Sequence, residues 1–218
     1  MLPASIRIHQ DPQLLLREFL HAREYTQVAV LMDTNTVAHC YPKVRDTLPS
    51  HQVILVEAGE EYKNLETCAH VWRQMTDFQL DRHALLVVLG GGVLGDLGGF
   101  CAATYKRGID FVLMPTTLLA QVDASVGGKL GIDFNHYKNH IGVFQLPQAT
   151  LISPDFLATL PFRELRSGYA EIVKHCLISD AAMWQQIQGR TLNQQNWQEL
   201  IAHSVSFKAG VVDRDPRE

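Results

Sequence analysis

The stretch Ala84-Leu-Leu-Val-Val-Leu-Gly-Gly-Gly-Val-Leu-Gly-Asp-Leu-Gly-Gly-Phe100 limits what this chain can fold into more than any other. An apolar run of strand length ends in Gly90, Gly91 and Gly92 and then passes into a segment that reads as helix. A strand, a tight turn and a helix N-terminus in succession make a place for an anion. Turn glycines let backbone N–H groups come close, and the first turn of a helix adds unpaired donors carrying partial positive charge. Gly90-x-Gly92-x-x-Gly95 by itself also fits a plain tight turn of an α/β protein, and no acidic partner is evident on the next strand. Asp96 and Gly98-Gly99 carry the reading further. A glycine inside a helix costs about 1 kcal/mol relative to alanine unless something packs on the backbone there, so the stretch reads as one that holds a ligand.

The segments before it repeat an alternation of strand and helix. Leu14 to Ala22 has helical spacing, and Gln27 to Asp33 is a short buried strand ending in an acid. That acid is placed either to meet a ribose or an adenine edge or simply to cap a solvated turn. A helix beginning at Thr36 can run only to Tyr41, where Pro42 interrupts it. Gln52 to Glu57 is a second strand, followed by Glu60 and Lys63, which fit either a salt-bridged helix start or a cofactor contact. Leu65 to Phe78 is an amphipathic helix with Trp72 and Met75 on its apolar side. This alternation predicts an α/β fold with a parallel sheet, a Rossmann-like nucleotide-binding domain.

Beyond the glycine turn, Ile109 to Met114 is a further strand broken by Pro115, and Thr116-Thr117 opens the segment Leu118 to Ser125. Charged and amide residues then crowd together: Asp123, Ser125, Lys129, Asp133, Asn135, His136, Lys138, Asn139 and His140. That is the composition of a site more than of a core. A P-loop is excluded, because Lys129 is followed by Leu130 rather than Ser or Thr and Asp123 stands where its first glycine belongs. His136 and His140, four apart, could share a helix face as metal ligands, although no HExxH is present. From Ser153 the chain reads as helical without another strand, so we divide it into an α/β domain over residues 1–152 and an all-helical part over 153–218. On the helix around Leu165 to Ile178, Glu171 shares a face with Lys174 and His175. This arrangement suits a surface ion pair, or a metal carboxylate beside a cationic anchor.

Charge and composition exclude some partners. The 218 residues carry a formal charge of -4, which argues against a nucleic-acid footprint. No apolar run reaches the roughly 18 residues that span a bilayer. The start Met1-Leu-Pro-Ala-Ser lacks the basic-then-apolar order of a signal peptide, so the expected location is cytoplasmic. Cys40, Cys68, Cys101 and Cys176 are widely spaced without CxxC, and read as small buried residues rather than a disulfide or zinc framework.

Four motifs in this order and roughly this spacing resemble 3-dehydroquinate synthases. They are the glycine-rich stretch from Gly90 to Phe100, Pro115 to Lys129, Lys138-Asn139, and Ser167-Gly-Tyr-Ala-Glu-Ile-Val-Lys174. Iron-dependent alcohol dehydrogenases share the fold and the glycine turn with that family, but not Asp-Ala-Ser-Val-Gly-Gly-Lys. The resemblance implies catalytic NAD, a divalent metal, usually zinc with cobalt possible, and a homodimer. It implies conversion of 3-deoxy-D-arabino-heptulosonate 7-phosphate to 3-dehydroquinate and phosphate in the shikimate pathway. The reaction would be a transient oxidation of a ring hydroxyl, phosphate elimination, reduction, ring opening and an intramolecular aldol closure.

By the same resemblance, Asp33, Glu60, Lys63, Gly91, Gly92, Val93, Asp96, Thr116, Thr117, Thr159 and Glu164 would surround NAD. Asp123, Lys129, Asn139, Lys174 and Lys208 would face the substrate, with Lys129 and Lys138 standing between cofactor and substrate. Arg107 would reach the substrate phosphate in a neighbouring subunit, and Glu171 would bind metal. Two departures stand out. The loop before Lys138-Asn139 is shorter than usual, and the family continues past the segment Val211 to Glu218 with further helices carrying an Arg, an Asn and two metal-binding histidines. The chain therefore looks like a truncated form of the enzyme. The alternatives are a shortened NAD-binding, non-catalytic protein or a related sugar-phosphate cyclase.

Overall fold

The computed structural model describes residues 3–215. Met1 and Leu2 at the chain start, and Pro216, Arg217 and Glu218 of the acidic end segment, lie outside the described residues. Strands β1 (Ile6–Ile8), β2 (Val28–Asp33), β3 (Gln52–Val56), β4 (Leu85–Gly90), β5 (Asp110–Pro115) and β8 (Ala149–Ile152) form a six-stranded sheet in the order β1-β8-β5-β4-β2-β3. Every pairing in it is parallel. A parallel sheet covered on both faces needs apolar residues in both alternating sets, and β2 and β4 meet that need. Ala29, Leu31, Leu86 and Val88 enter one core layer with α3 (Leu65–Asp77) and α4 (Gly92–Thr104). Val28, Val30, Met32, Leu85, Val87 and Leu89 enter the other with α1 (Pro12–His21). The expected doubly wound α/β architecture is present.

The chain leaves β2 toward β3 and then crosses back to place β4 on the other side of β2. The loops after β2 and β4 therefore diverge, which opens a crevice at the carboxyl ends of these strands, where such sheets take ligands. The short helix α2 (Thr34–His39) ends close to where Pro42 required it to. Gly98 in α4 lies where an added Cβ would come within 2.8 Å of Leu31 and 2.9 Å of Val88, so the helix rests on the sheet at bare backbone. A Cβ on Gly99 would likewise come within 2.5 Å of Leu130, so core side chains and not a ligand pack on the paired glycines. All four cysteines are free and buried, and Met75 is fully buried with Trp72 packed against the same cluster.

The polar stretch after Ser125 departs from expectation. It is a two-stranded antiparallel hairpin, β6 (Lys129–Phe134) and β7 (Tyr137–Phe144), and not an irregular loop. Asn135 and His136 form its turn with φ of 49° and 68°, the mirror-type geometry that matches strand twist. His136 in this turn and His140 on β7 are not on a helix, which removes the shared-face metal pair. Among the described residues, no group of three or more His, Cys, Asp and Glu is arranged for a metal ion.

After β8 ends at Ile152, the chain continues through a 3-10 segment (Pro154–Thr159) into α5 (Phe162–Ser179), α6 (Ala181–Ile187) and α7 (Trp197–Val212). Their cluster includes Leu118, Val122, Val126 and Ile152, so the helices pack on the segment after β5 rather than standing apart. No described helix is long and apolar enough to cross a membrane.

Candidate active site

A cleft of about 580 Å³ opens beside the carboxyl ends of β4 and β5. One wall is Asp96 of α4; the helix begins nearby at Gly92 with Gly91 as its N-cap and no side-chain hydrogen bond at that cap. Its first N–H groups are left for an anion. The turn fits closely against its neighbours: a Cβ on Gly91 would come within 3.0 Å of Thr117 Cγ2, and one on Gly92 within 3.3 Å of the Ala124 Cβ. Thr116 is buried and its N–H donates to the Gly90 carbonyl at 3.0 Å, while the Thr117 hydroxyl accepts from the Ala124-side segment at Ala120 N, 3.2 Å away. Val93 lies part-buried in the first turn of α4.

The second wall is a π-helical turn, Ala120–Ala124, a wide coil that recurs at functional sites. Buried Gln121 ties it to the sheet end by donating to the carbonyls of Pro115 at 3.0 Å and Ser153 at 2.8 Å. Asp123 consequently faces α7, where Lys208 Nζ lies 2.7 Å from its Oδ1. Asp123 and Lys208 both line the cleft.

The hairpin supplies the third wall. Ile132 pairs with Ile141 and Phe134 with Tyr137, so β7 has extra residues over this interval and bulges outward. Bulges re-aim side chains, and this one carries Lys138, Asn139 and His140. Asn139 has φ of 51°, a region that asparagine tolerates better than most residues. Its amide N–H donates to Asp133 Oδ1 at 2.8 Å, and its side-chain oxygen accepts from Lys63 Nζ at 2.6 Å. Lys129 at the start of β6 reaches the same cleft.

Lys63, only 4 % exposed, joins the walls. Its ammonium contacts Asp96 Oδ2 at 2.5 Å as well as Asn139, and its carbonyl accepts from Asp133 N–H at 2.8 Å. Burial pushes the Asp96 pKa up, against the opposing pull of the Lys63 charge. Replacing Lys63 by Met should cost about 3–5 kcal/mol at neutral pH, because it strands a buried carboxylate. Without Lys63, Asp96 would hold its proton to still higher pH in the folded state. The folded state then binds more protons than the unfolded one above an ordinary Asp value of about 4, so stability rises as pH falls through the raised value. Urea unfolding at pH 7 and pH 5 should therefore show the gap to the parent narrowing on acidification; an equal gap at both would contradict a stranded Asp96.

Other expected site residues are placed as follows. Asp33 stands at the end of β2 beside the crevice, with its Oδ1 accepting from Asn35 N and Thr36 N as the cap of α2. Glu60 and Lys138 pair at 3.0 Å on the exposed rim, and the hydrogen bond to Glu60 raises the Lys138 pKa. Thr159 and Glu164 are exposed and do not line the cleft. Arg107 is exposed, with φ of 69°, in the loop between α4 and β5. That is the amino end of the sheet, opposite the cleft, where it shares a groove with Asp81, Arg82 and His83.

Helix α5 brings Glu171, Lys174 and His175 to one face. It approaches closely at Gly168, where an added Cβ would lie 2.5 Å from Leu119 N. Glu171 Oε1 is in contact with Lys174 Nζ and lies 3.0 Å from His175 Nε2. Burial pushes the His175 pKa down while Glu171 pulls it up; Asp123 and Lys208 also act on it, so this triad lies within electrostatic reach of the cleft. Glu171 is 16 % exposed with both contacts on Oε1, and among the described residues no group of three or more His, Cys, Asp and Glu surrounds it for a metal ion. His140, Gly142, Val143 and Phe144 also line the cleft. The sequence placed His140 in the polar stretch that reads as a site and in the metal pair, and gave the other three no role; the bulge breaks the alternation that would have signalled them.

The fold and the cleft define a doubly wound α/β protein with an uncapped glycine turn at its switch point, a lysine-lined cleft and a helical extension. A 2-epi-5-epi-valiolone synthase from Streptomyces hygroscopicus subsp. jinggangensis, solved with NAD+ and Zn2+ bound, superposes with a TM-score of 0.87 at 28% identity, covering 100% of this chain and 63% of that one. A 2-deoxy-scyllo-inosose synthase shares the fold at a TM-score of 0.82 and 23% identity over 95% of this chain and 59% of that one. The chain belongs to the 3-dehydroquinate synthase family: residues 53–167 match the model of that family's N-terminal part and residues 168–218 that of its C-terminal part. The 3-dehydroquinate synthase of Parabacteroides distasonis is 40% identical over 98% of this chain and 62% of its own length. That of Halorhodospira halophila is 44% identical over 87% of this chain and 55% of its own. The matches thus span 47–62% of the length of curated relatives.

Proposed function

We propose that the whole protein is a 3-dehydroquinate synthase of the shikimate pathway. It would convert 3-deoxy-D-arabino-heptulosonate 7-phosphate to 3-dehydroquinate and phosphate with catalytic NAD and a divalent metal, zinc or cobalt, as a cytoplasmic homodimer. Residues 1–152 would be its NAD-binding domain and 153–218 part of its helical domain. The observation that carries this reading is the convergence of Lys129, Lys208, Asn139 and Asp123 in one cleft beside the uncapped start of α4.

The free N–H groups at Gly92 and Val93 would take a dinucleotide diphosphate, with Asp33, Glu60, Lys63, Asp96, Thr116, Thr117, Lys138, Thr159 and Glu164 around the rest of the cofactor. NAD would supply a reversible hydride acceptor, and a divalent ion on Glu171 would acidify the hydroxyl being oxidised. Lys129, Lys208 and Lys174 would neutralise the carboxylate, developing oxyanion and phosphate of the substrate. In a water-poor cleft that Coulomb attraction is far stronger than in bulk water. Asn139, held by Lys63, would orient a ring hydroxyl with its free amide donors, and Asp123 would accept from another. Arg107, at the far end of the sheet, would serve the substrate phosphate of a neighbouring subunit.

The test is phosphate release and 3-dehydroquinate formation by the whole protein from the heptulosonate phosphate, with NAD at substoichiometric level. Many turnovers per NAD are expected. Turnover only with a sugar phosphate lacking the carboxylate would make it a related cyclase, and NAD binding without turnover on either would make it a non-catalytic binder.

A further inference from the structure

We propose that Gln121 is a positioning residue: its amide bridges the parted ends of β5 and β8 and so fixes the π-helical turn that carries Asp123 into the cleft. The inference rests on the reading of Asp123 as a substrate contact. Strands β5 and β8 pair only at Val112–Ala149 and Leu113–Thr150. Beyond these residues they part, and the carbonyls of Pro115 and Ser153 receive no donor from the facing strand. Gln121 Nε2 spans that gap, donating to Pro115 at 3.0 Å and to Ser153 at 2.8 Å from a fully buried side chain. Ser153 is itself held in place, because it is fully buried and its hydroxyl donates to the Gln10 carbonyl at 2.6 Å.

The direction of the amide follows from its neighbours. Both partners are carbonyl oxygens, so the NH2 end with its two hydrogens stands at the gap. Oε1, at the other end, is buried without a hydrogen-bond partner. An unfilled buried acceptor destabilises a core, and an apolar side chain would avoid it, so the residue serves through its two donors. The turn needs such a tie. It is a wide coil, closed by Ser125 N–H donating to the Ala120 carbonyl at 3.1 Å. Two residues beyond Gln121, Asp123 lines the cleft, with Lys208 Nζ 2.7 Å from its Oδ1 on the α7 side. Gln121 is the tie on the sheet side, and a misplacement of about 1 Å at a group that orients substrate can cost about 100-fold in rate.

The experiment is a double-mutant cycle on the whole protein, read as phosphate release from the heptulosonate phosphate. Gln121→Met keeps the length of the side chain without its donors, and should lower kcat by about 10–100-fold. Asp123→Asn should also lower kcat, and adding Gln121→Met to it should cost little more, because the two act through one group. Losses that multiply in the double variant, or a parental kcat in Gln121→Met beside a loss in Asp123→Asn, would overturn the positioning role. A parental kcat in Asp123→Asn would instead overturn the reading of Asp123 beneath it. Should Gln121→Met not fold, Gln121→Glu decides. Its neutral acid keeps one donor, whereas the ionised form turns negative oxygens on both carbonyls, so its turnover relative to the parent's should fall as pH rises between about pH 6 and pH 9. The charged groups around the turn are Asp123 itself, Asp96 on α4, Lys208 on α7, and Glu171, Lys174 and His175 on α5. Parent and variant share them, so the ratio isolates position 121, and a ratio that stays constant overturns the inference.

Discussion

Lys129→Ala in the whole protein is expected to leave NAD and metal binding intact while lowering kcat by about 10²–10³-fold, the usual loss when one preorganised donor to a developing oxyanion is removed. Lys129 opens β6 directly after Gly127 and Gly128, both at positive φ, and its side chain is exposed at the cleft. Packing therefore does not depend on it, and the fold should survive. Glu171→Gln should behave in the opposite way, losing metal and with it the first hydride transfer while NAD still binds. A catalytic zinc site holds its ion with about three protein ligands, so loss of one is severe. Elemental analysis beside NADH absorbance in a single turnover separates the two. A Lys129→Ala protein with parental turnover would remove Lys129 from the chemistry, and a Glu171→Gln protein with stoichiometric zinc would remove Glu171 from the metal site.

The second large effect is expected at the glycine turn. NAD at 100 times its dissociation constant should stabilise the protein by about 2.7 kcal/mol through mass action, and Gly92→Val should abolish that shift. A Cβ on Gly92 already comes within 3.3 Å of Ala124, and the branches of valine would fill the space over the first N–H groups of α4. The backbone of Gly92 needs no positive φ, so the substitution strains no torsion and asks only that Ala124 yield slightly. Thermal melting of parent and variant, each with and without NAD, measures this. A variant that keeps the full shift would place the cofactor elsewhere.

The sequence by itself determined the parts whose causes are local. Buried parallel strands show as unbroken apolar runs, Pro42 cannot continue the α-helix before it, and Gly90 to Gly92 followed by a helix make an anion-accepting turn in a sheet of this kind. The partners of Glu171 were legible too, because residues three and four apart on a helix meet. The hairpin was missed because its strands mix glycine with charged residues, and because its bulge breaks the alternation that marks a strand. What only the tertiary structure decided was which distant residues meet. Lys63 reaches Asn139 across the hairpin, Lys208 reaches Asp123 from a helix far along the chain, and Arg107 is carried to the opposite end of the sheet from the cleft. None of these follows from spacing. Each depends on strand order, on α4 resting on the sheet at Gly98 and on α5 crossing at Gly168, and backbone approach of that kind is a property of the packed core as a whole.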